Sequence, residues 1–258
     1  MTQALSAYSL TRGLKTAFIG QKVVYFPRLP STMDAARQLA RQGTGEGTIV
    51  LAGEQTAGKG RLKRAWLSPP GNVALSIVLY PDIAGLPYLV MIASLAAVHA
   101  IDKAAGLKAQ IKWPNDILID GKKIGGILIE NEMKSNRVVF SIAGIGINVD
   151  LNIAAYPEIA VSAVSLKSRP GKDLRITIVR SLFTEFERLY IKLPDGEDVF
   201  RAWRDRLVTL GKQVKATSAN EVVEGTADSV DETGALYICR ADGQLTKVIM
   251  GDVTLREE

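Results

Sequence analysis

Two segments that read as β-strands, 49–52 and 72–79, are joined by a loop that begins Gly53-Glu54-Gln55-Thr56-Ala57-Gly58-Lys59-Gly60-Arg61-Leu62-Lys63-Arg64-Ala65-Trp66. Three glycines and four cations stand in this one connection. Long loops carried on a rigid sheet tend to be functional. Glycines let the backbone approach a ligand closely, and Lys59, Arg61, Lys63 and Arg64 can neutralise carboxylate and phosphate oxygens, so the segment suits anions. A second cluster, Lys112-Trp113-Pro114-Asn115-Asp116 followed by Lys122-Lys123-Ile124-Gly125-Gly126, repeats the combination. Two such segments in one chain imply an anhydride-forming or phosphate-transferring enzyme.

At 258 residues with 47% hydrophobic content, the chain can bury a substantial core, as one large domain with room for a small second one. No apolar run approaches the roughly 18 to 20 residues of a membrane span, and the N-terminus lacks a signal peptide's apolar core, which predicts a cytoplasmic protein with no membrane partner. The single Cys239 excludes an internal disulfide, and one Cys with one His cannot build a usual zinc site. Cys239 reads as a packed strand residue, and His99, inside an apolar helical stretch, reads as packing. The net charge of +5 is spread along the chain, which weakens any inference toward nucleic acid.

Residues 1–22 read as a lead-in too brief for a DNA-binding domain, so no DNA partner is expected. A strand at 23–26 follows. Ser31 and Thr32 stand at a helix entrance with Asp34 in the first turn and an Ala-rich run to Arg41, where a hydroxyl cap is the plain reading. Residues 87–105 have the spacing of a buried helix. Segments 111–113, 117–119 and 124–130 are strand-like, and Asp120-Gly121 signals a hairpin that would set Lys112 and Lys123 on adjacent strands. Segment 138–148 ends in Gly144-Ile145-Gly146-Ile147-Asn148, where glycines let a ligand lie against the strand. Residues 172–192 and 195–207 are helical. Short strands separated by Asn220, Asp231-Glu232-Thr233-Gly234 and Asp242-Gly243 then mark a boundary near 209. The predicted division is a lead-in at 1–22, a catalytic domain at 23–208 and a small SH3-like β-barrel at 209–258.

Gly53 through Lys59 satisfies the first seven positions of a phosphate-binding P-loop, but Gly60 stands where Ser or Thr should hold magnesium, and Ser68-Pro69-Pro70 interrupts the helix that should follow. Taken together, Ser31-Thr32, the Gly58-Lys59-Gly60-Arg61 loop with Arg64 and Trp66, the Lys112 to Asp116 block, Lys123 with Gly125-Gly126-Ile127-Leu128, and Gly144 to Asn148 resemble the biotin protein ligases of the compact kind. The resemblance runs from about residue 14 to 256.

That resemblance implies an α+β fold: a mixed, largely antiparallel sheet with flanking helices, related to class II aminoacyl-tRNA synthetase cores and lipoate ligases, often as a homodimer. It implies activation of biotin with ATP and Mg²⁺ to biotinyl-5'-AMP, then transfer to one lysine of a biotin carboxyl carrier protein. By resemblance Lys123 meets the biotin carboxylate and the phosphate, Arg61 belongs to the closing loop, and Lys112 adds charge. Ser31, Thr32 and Gln55 correspond to ureido and ring contacts. Gly58 and Lys59 lie in the biotin-closing loop, and Gly126, Ile127, Leu128, Gly144 and Gly146 form a close apolar wall. Arg64, Trp66, Asn115, Asp116 and Asn148 belong to the nucleotide and metal side, with Asp116 the candidate to meet Mg²⁺ or take the proton of the acceptor lysine. The family loop usually reads Gly-Arg-Gly-Arg followed by a residue, Gly and Arg. Here Lys59 replaces the first Arg, losing its planar fork, and Lys63 replaces the later Gly. Lipoate ligation is the nearest enzymatic alternative, and a regulatory or nucleic-acid-binding module the alternative of another class.

Overall fold

The computed structural model describes residues 5–167, 173–193, 196–217, 221–249 and 251–255. Lys172, Asp195 and Asn220, which stand at expected element boundaries, lie outside the described residues. A seven-stranded sheet organises the larger part. Strand β1 (Val23–Phe26) pairs parallel with β2 (Ile49–Ala52), and every other pairing is antiparallel. Strands β3 (Val73–Leu79), β4 (Gln110–Lys112), β5 (Asp116–Ile119), β6 (Lys122–Lys134) and β7 (Arg137–Ile147) complete the order β1-β2-β3-β7-β6-β5-β4.

Strands β2 and β3 are buried at every position because both faces of the sheet are covered, which is why they read as continuous apolar runs. Alternation still sorts their side chains. Ile49 and Leu51 join the core under helices α3 (Tyr88–Ala105) and α4 (Leu174–Tyr190), while Val50 and Ala52 pack with Met33 and Ala36 of α2 (Thr32–Arg41) on the opposite face. Helix α3, 18 residues long, is long and apolar enough by composition to cross a membrane, contrary to the expectation that no run approaches that length. Eleven of its residues are buried in the core, and Gly106 ends it in the left-handed conformation at φ 69°. Helix α5 (Gly196–Arg204) packs beside it.

The lead-in holds a short helix, α1 (Ala7–Thr11), that the sequence did not announce. It is fastened to α4: Arg180 donates to the carbonyls of Leu10 and Arg12, and Glu187 accepts the backbone N–H groups of Ala17, Phe18 and Ile19. The C-terminal strands β8 (Gln213–Thr217), β9 (Val222–Val230), β10 (Leu236–Cys239), β11 (Leu245–Val248) and β12 (Asp252–Leu255) form a second, antiparallel sheet in the order β11-β10-β9-β8-β12. Its size fits the SH3-like unit expected there. No pairing among the described residues closes it into a barrel. Cys239 lies on β10 as expected.

One topological expectation is corrected. The turn at Asp120 (φ 48°) and Gly121 (φ 74°) joins β5 to β6, and Lys112 lies on β4 opposite Asp116. Strand β5 therefore separates Lys112 from Lys123. A β-bulge between them matters more: Asp116 pairs with Gly126 and Ile117 with Gly125, but Leu118 pairs with Lys123, leaving Ile124 as an extra residue. In a regular register, with Ile124 opposite Leu118, Lys123 would point to the face opposite Asp116. With the extra residue, both side chains share one face.

Candidate active site

A cleft of about 760 Å³, solvent mouth included, opens over β3, β6 and β7. Its floor is the paired stretch where Gly126 lies opposite Gly146 and Leu128 opposite Gly144. A methyl group on Gly146 would stand 2.5 Å from the Trp66 indole, and one on Gly144 would stand 2.6 Å from the Met33 sulfur. These two glycines make room for side chains arriving from the loop and from α2. Ile127 and Leu128 line the same floor.

Charge is concentrated at one end. The Lys123 ammonium lies 2.6 Å from the Asp116 carboxylate and 5.5 Å from the centre of the Trp66 ring. Arg61 donates to Asn115 Oδ1 at 3.0 Å and to the Gly251 carbonyl at 3.2 Å. Burial lowers the pKa of Arg61, and the neighbouring carboxylates Asp252 and Asp116 oppose that shift. Asn115 is held in turn by donating to the Ile127 carbonyl at 2.6 Å. Arg64 pairs with Asp252, and Lys59 lies 2.5 Å from Asp34 of α2.

Around Thr32 the lining is held by neutral polar side chains. The N–H and hydroxyl of Thr32 donate to Gln55 Oε1 at 2.8 and 3.0 Å, and Ser76 donates to Thr32 Oγ1 at 2.9 Å. Ser31 occupies the N-cap position of α2, but its hydroxyl makes no capping bond. That oxygen is buried without a hydrogen-bond partner.

The glycine-cation loop is folded rather than open. Trp66 N–H donates to the Gly58 carbonyl and Gly60 N–H to the Arg64 carbonyl, both at 2.8 Å, so the segment doubles back as a narrow hairpin. Gly58 allows this, since a methyl there would stand 2.4 Å from the Trp66 carbonyl oxygen. At the tip Leu62 (φ 53°) and Lys63 (φ 60°) hold left-handed conformations. The hairpin leads into β3, not into a helix, so it is no P-loop.

The structure thus brings Thr32, Gln55, Lys59, Arg61, Arg64, Trp66, Asn115, Asp116, Lys123, Gly126, Ile127, Leu128, Gly144 and Gly146 to one cleft. It does not put Ser31, Gly58, Lys112 or Asn148 on the wall. Asn148 instead braces β7, donating its side chain to the Val164 carbonyl and its N–H to the Ile124 carbonyl. His99 lies away from the cleft, 3.4 Å from Glu185. Sequence reasoning missed Met33, Ala74, Leu75 and Asp252 on the wall. Met33 was within reach, being the residue after Thr32, but nothing in the local pattern of Asp252 points to the cleft. Among the described residues no three Asp, Glu, His or Cys side chains gather into a metal site.

The biotin/lipoate A/B protein ligase family model matches residues 25–148, and the biotin protein ligase C terminal domain model matches residues 209–256. The bifunctional ligase/repressor BirA of Bacillus subtilis is 37% identical over 97% of this chain and 79% of its own length. The biotin--[acetyl-CoA-carboxylase] ligase of Paracoccus denitrificans is 33% identical over 82% of this chain and 91% of its own. The biotin protein ligase of Aquifex aeolicus in complex with biotin and ATP shares the fold, with a TM-score of 0.71 at 24% identity, over 92% of this chain and 100% of that one. The biotin protein ligase of Leishmania major in complex with biotinyl-5-AMP gives a TM-score of 0.59 at 25% identity over 88% and 98%.

Proposed function

The chain belongs to the biotin protein ligases of the biotin/lipoate A/B protein ligase family, and from that premise we propose that it activates biotin with ATP to biotinyl-5'-AMP and transfers the biotinyl group to one lysine of a biotin carboxyl carrier protein or domain. The observation that carries this reading is the polarity of this cleft. Lys123, Arg61 and Asp116 stand at one end, Thr32 and Gln55 at the other, and a glycine-paired floor runs between them. Such a shape suits a ligand with a polar, uncharged head, an apolar body and an acidic tail.

In the first step an oxygen of the biotin carboxylate attacks the α-phosphorus, and the bond to the β-phosphate oxygen breaks, releasing pyrophosphate. Two unit negative charges about 4 Å apart repel by about 4 kcal/mol at an effective dielectric of about 20, so a cation between them decides whether they meet. Lys123 is placed for that. Its pairing with Asp116 and its seat over the Trp66 ring fix the ammonium in the cleft. Arg61, drawn toward Asn115, adds the second charge. In the second step the lysine nitrogen of the carrier attacks the acyl carbon and AMP leaves. We assign the acceptance of the amine proton to Asp116.

Mg²⁺ fits this donor set as a companion of the phosphates: the Asp116 carboxylate on the wall matches an ion that keeps most of its ligands as water and phosphate oxygen. When bound it neutralises phosphate charge. We read residues 23–208 as the catalytic part, 209–258 as the SH3-like part and 1–22 as a lead-in, in a cytoplasmic homodimer. The decisive assay incubates the protein with ATP, Mg²⁺ and either biotin or lipoate. Pyrophosphate release that depends on biotin is expected, and release with lipoate alone, or with neither, would overturn the reading.

A further inference from the structure

One carboxylate on the cleft wall has no part in the chemistry above. Asp252 begins β12 in the C-terminal sheet, yet its side chain pairs with Arg64 of the glycine-cation hairpin. The residue before it, Gly251, accepts a hydrogen bond from Arg61. Both contacts grip the tip of the hairpin on either side of Leu62 and Lys63, the two residues in left-handed conformations. Besides these, Arg61 donates to Asn115, Leu62 is 56% exposed, and Gly60 N–H to Arg64 and Arg64 N–H to Arg61 are the tip's only backbone bonds among the described residues.

A carboxylate on a guanidinium takes the same donors that a phosphate takes. The Arg64 side chain is 66% exposed and that of Asp252 31%, so the pair is weak and readily exchanged for a more highly charged partner. We propose that Asp252 is a positioning residue acting through Arg64. In the absence of nucleotide it stands in for a phosphate and pins the hairpin tip to the C-terminal sheet; nucleotide entry transfers Arg64 from Asp252 to the polyphosphate and releases the tip to close over the ligand. The exchange couples occupancy of the cleft to the C-terminal sheet, and it rests on the reading that the cleft takes ATP.

Asp252→Asn keeps the shape and removes the charge. The KM for ATP in biotin-dependent pyrophosphate exchange is expected to fall about two- to fivefold, the size of an exposed ion pair. Trypsin should nick the unliganded variant faster after Arg61, Lys63 or Arg64, with the cut sites identified by mass spectrometry. Asp252→Glu should restore both values, and Asp252→Ser should repeat the Asn result, which guards against a defect peculiar to the amide. On an Arg64→Gln background the Asp252→Asn change should leave KM unaltered. A KM that rises or stays put, unchanged nicking, or an equal fall in KM without Arg64 would overturn the latch. If the wild type shows no biotin-dependent exchange, the functional reading fails, and the nicking comparison, which needs no ligand, still decides whether Asp252 holds the tip.

Discussion

At the scale of single residues the cleft separates groups that serve the fold from groups kept for a ligand. Lys123 makes one ion pair, with Asp116, in a cleft that ligand would fill, so its removal affects chemistry more than folding. Lys123→Ala should slow biotin-dependent pyrophosphate exchange by about 10²- to 10³-fold, the loss seen when one preorganised charge-stabilising donor is deleted; near-normal exchange would remove Lys123 from the reaction. Ser31 gives a sharper contrast. Its buried hydroxyl has no partner in the free protein, so Ser31→Ala breaks no hydrogen bond there. Thermal stability should change by less than about 0.5 kcal/mol, while biotin affinity measured by calorimetry should drop about tenfold as a ligand bond is lost. Equal losses in both would mean that the hydroxyl serves packing. The two departures in the loop also find their place at this scale. Lys59 retains a partner in Asp34, and Lys63 occupies a left-handed conformation that glycine would adopt freely.

At the scale of elements, what makes the site is where regularity breaks. Alternation along β6 read from Gly126 backwards would turn Lys123 away from Asp116, and only the extra residue at Ile124 restores it. The backbone groups freed near that bulge are not left bare: Lys123 exchanges hydrogen bonds with Ser162 and Val164, and Ile124 accepts from Asn148. Motif residues were therefore legible in the sequence while their facing was not, because a bulge depends on pairing partners that no local pattern reveals. The same holds for Glu187. Its carboxylate receives three N–H groups from residues 17–19 at 2.7, 2.9 and 3.0 Å, partners no local pattern reveals. Glu187→Gln should cost about 1–3 kcal/mol in urea denaturation, and no loss would show that the lead-in is held by packing alone. Asp231, in the turn between β9 and β10, offers a pH test. Burial works against its ionisation, but bonds from Lys247, Thr233, Ala235 and Tyr237 outweigh this and hold its pKa well below the usual carboxylate range. A group depressed in this way stabilises the fold above its unfolded pKa of about 3.9 and loses that effect as the pH falls through the folded value. The stability gap between wild type and Asp231→Asn should be full near neutral pH and narrow below about pH 4; a gap independent of pH would assign it to shape.

At the scale of the molecule, the two sheets meet through the cleft's own supports. Trp113, inside the Lys112 to Asp116 block, is 1% exposed; its indole N–H donates to the Gly234 carbonyl and its backbone N–H to Thr209 Oγ1, both at 2.8 Å. The block that presents Asn115 and Asp116 is thus bolted to the C-terminal sheet on one side, while Arg61 and Arg64 reach the same sheet at Gly251 and Asp252 on the other. These partners lie from about one hundred to almost two hundred residues apart in sequence, which is why the traffic of the C-terminal strands with the site was not legible. Trp113→Phe tests the arrangement. It leaves the Gly234 carbonyl unpaired and a small void beside it, so unfolding in urea should be easier by about 2–3 kcal/mol. Because the charged end of the cleft leans on this contact and the Thr32 and Gln55 end does not, the KM for ATP should rise while biotin affinity stays within twofold of wild type. A variant that loses biotin and ATP affinity equally would show that Trp113 supports the whole core and not the junction between the sheets.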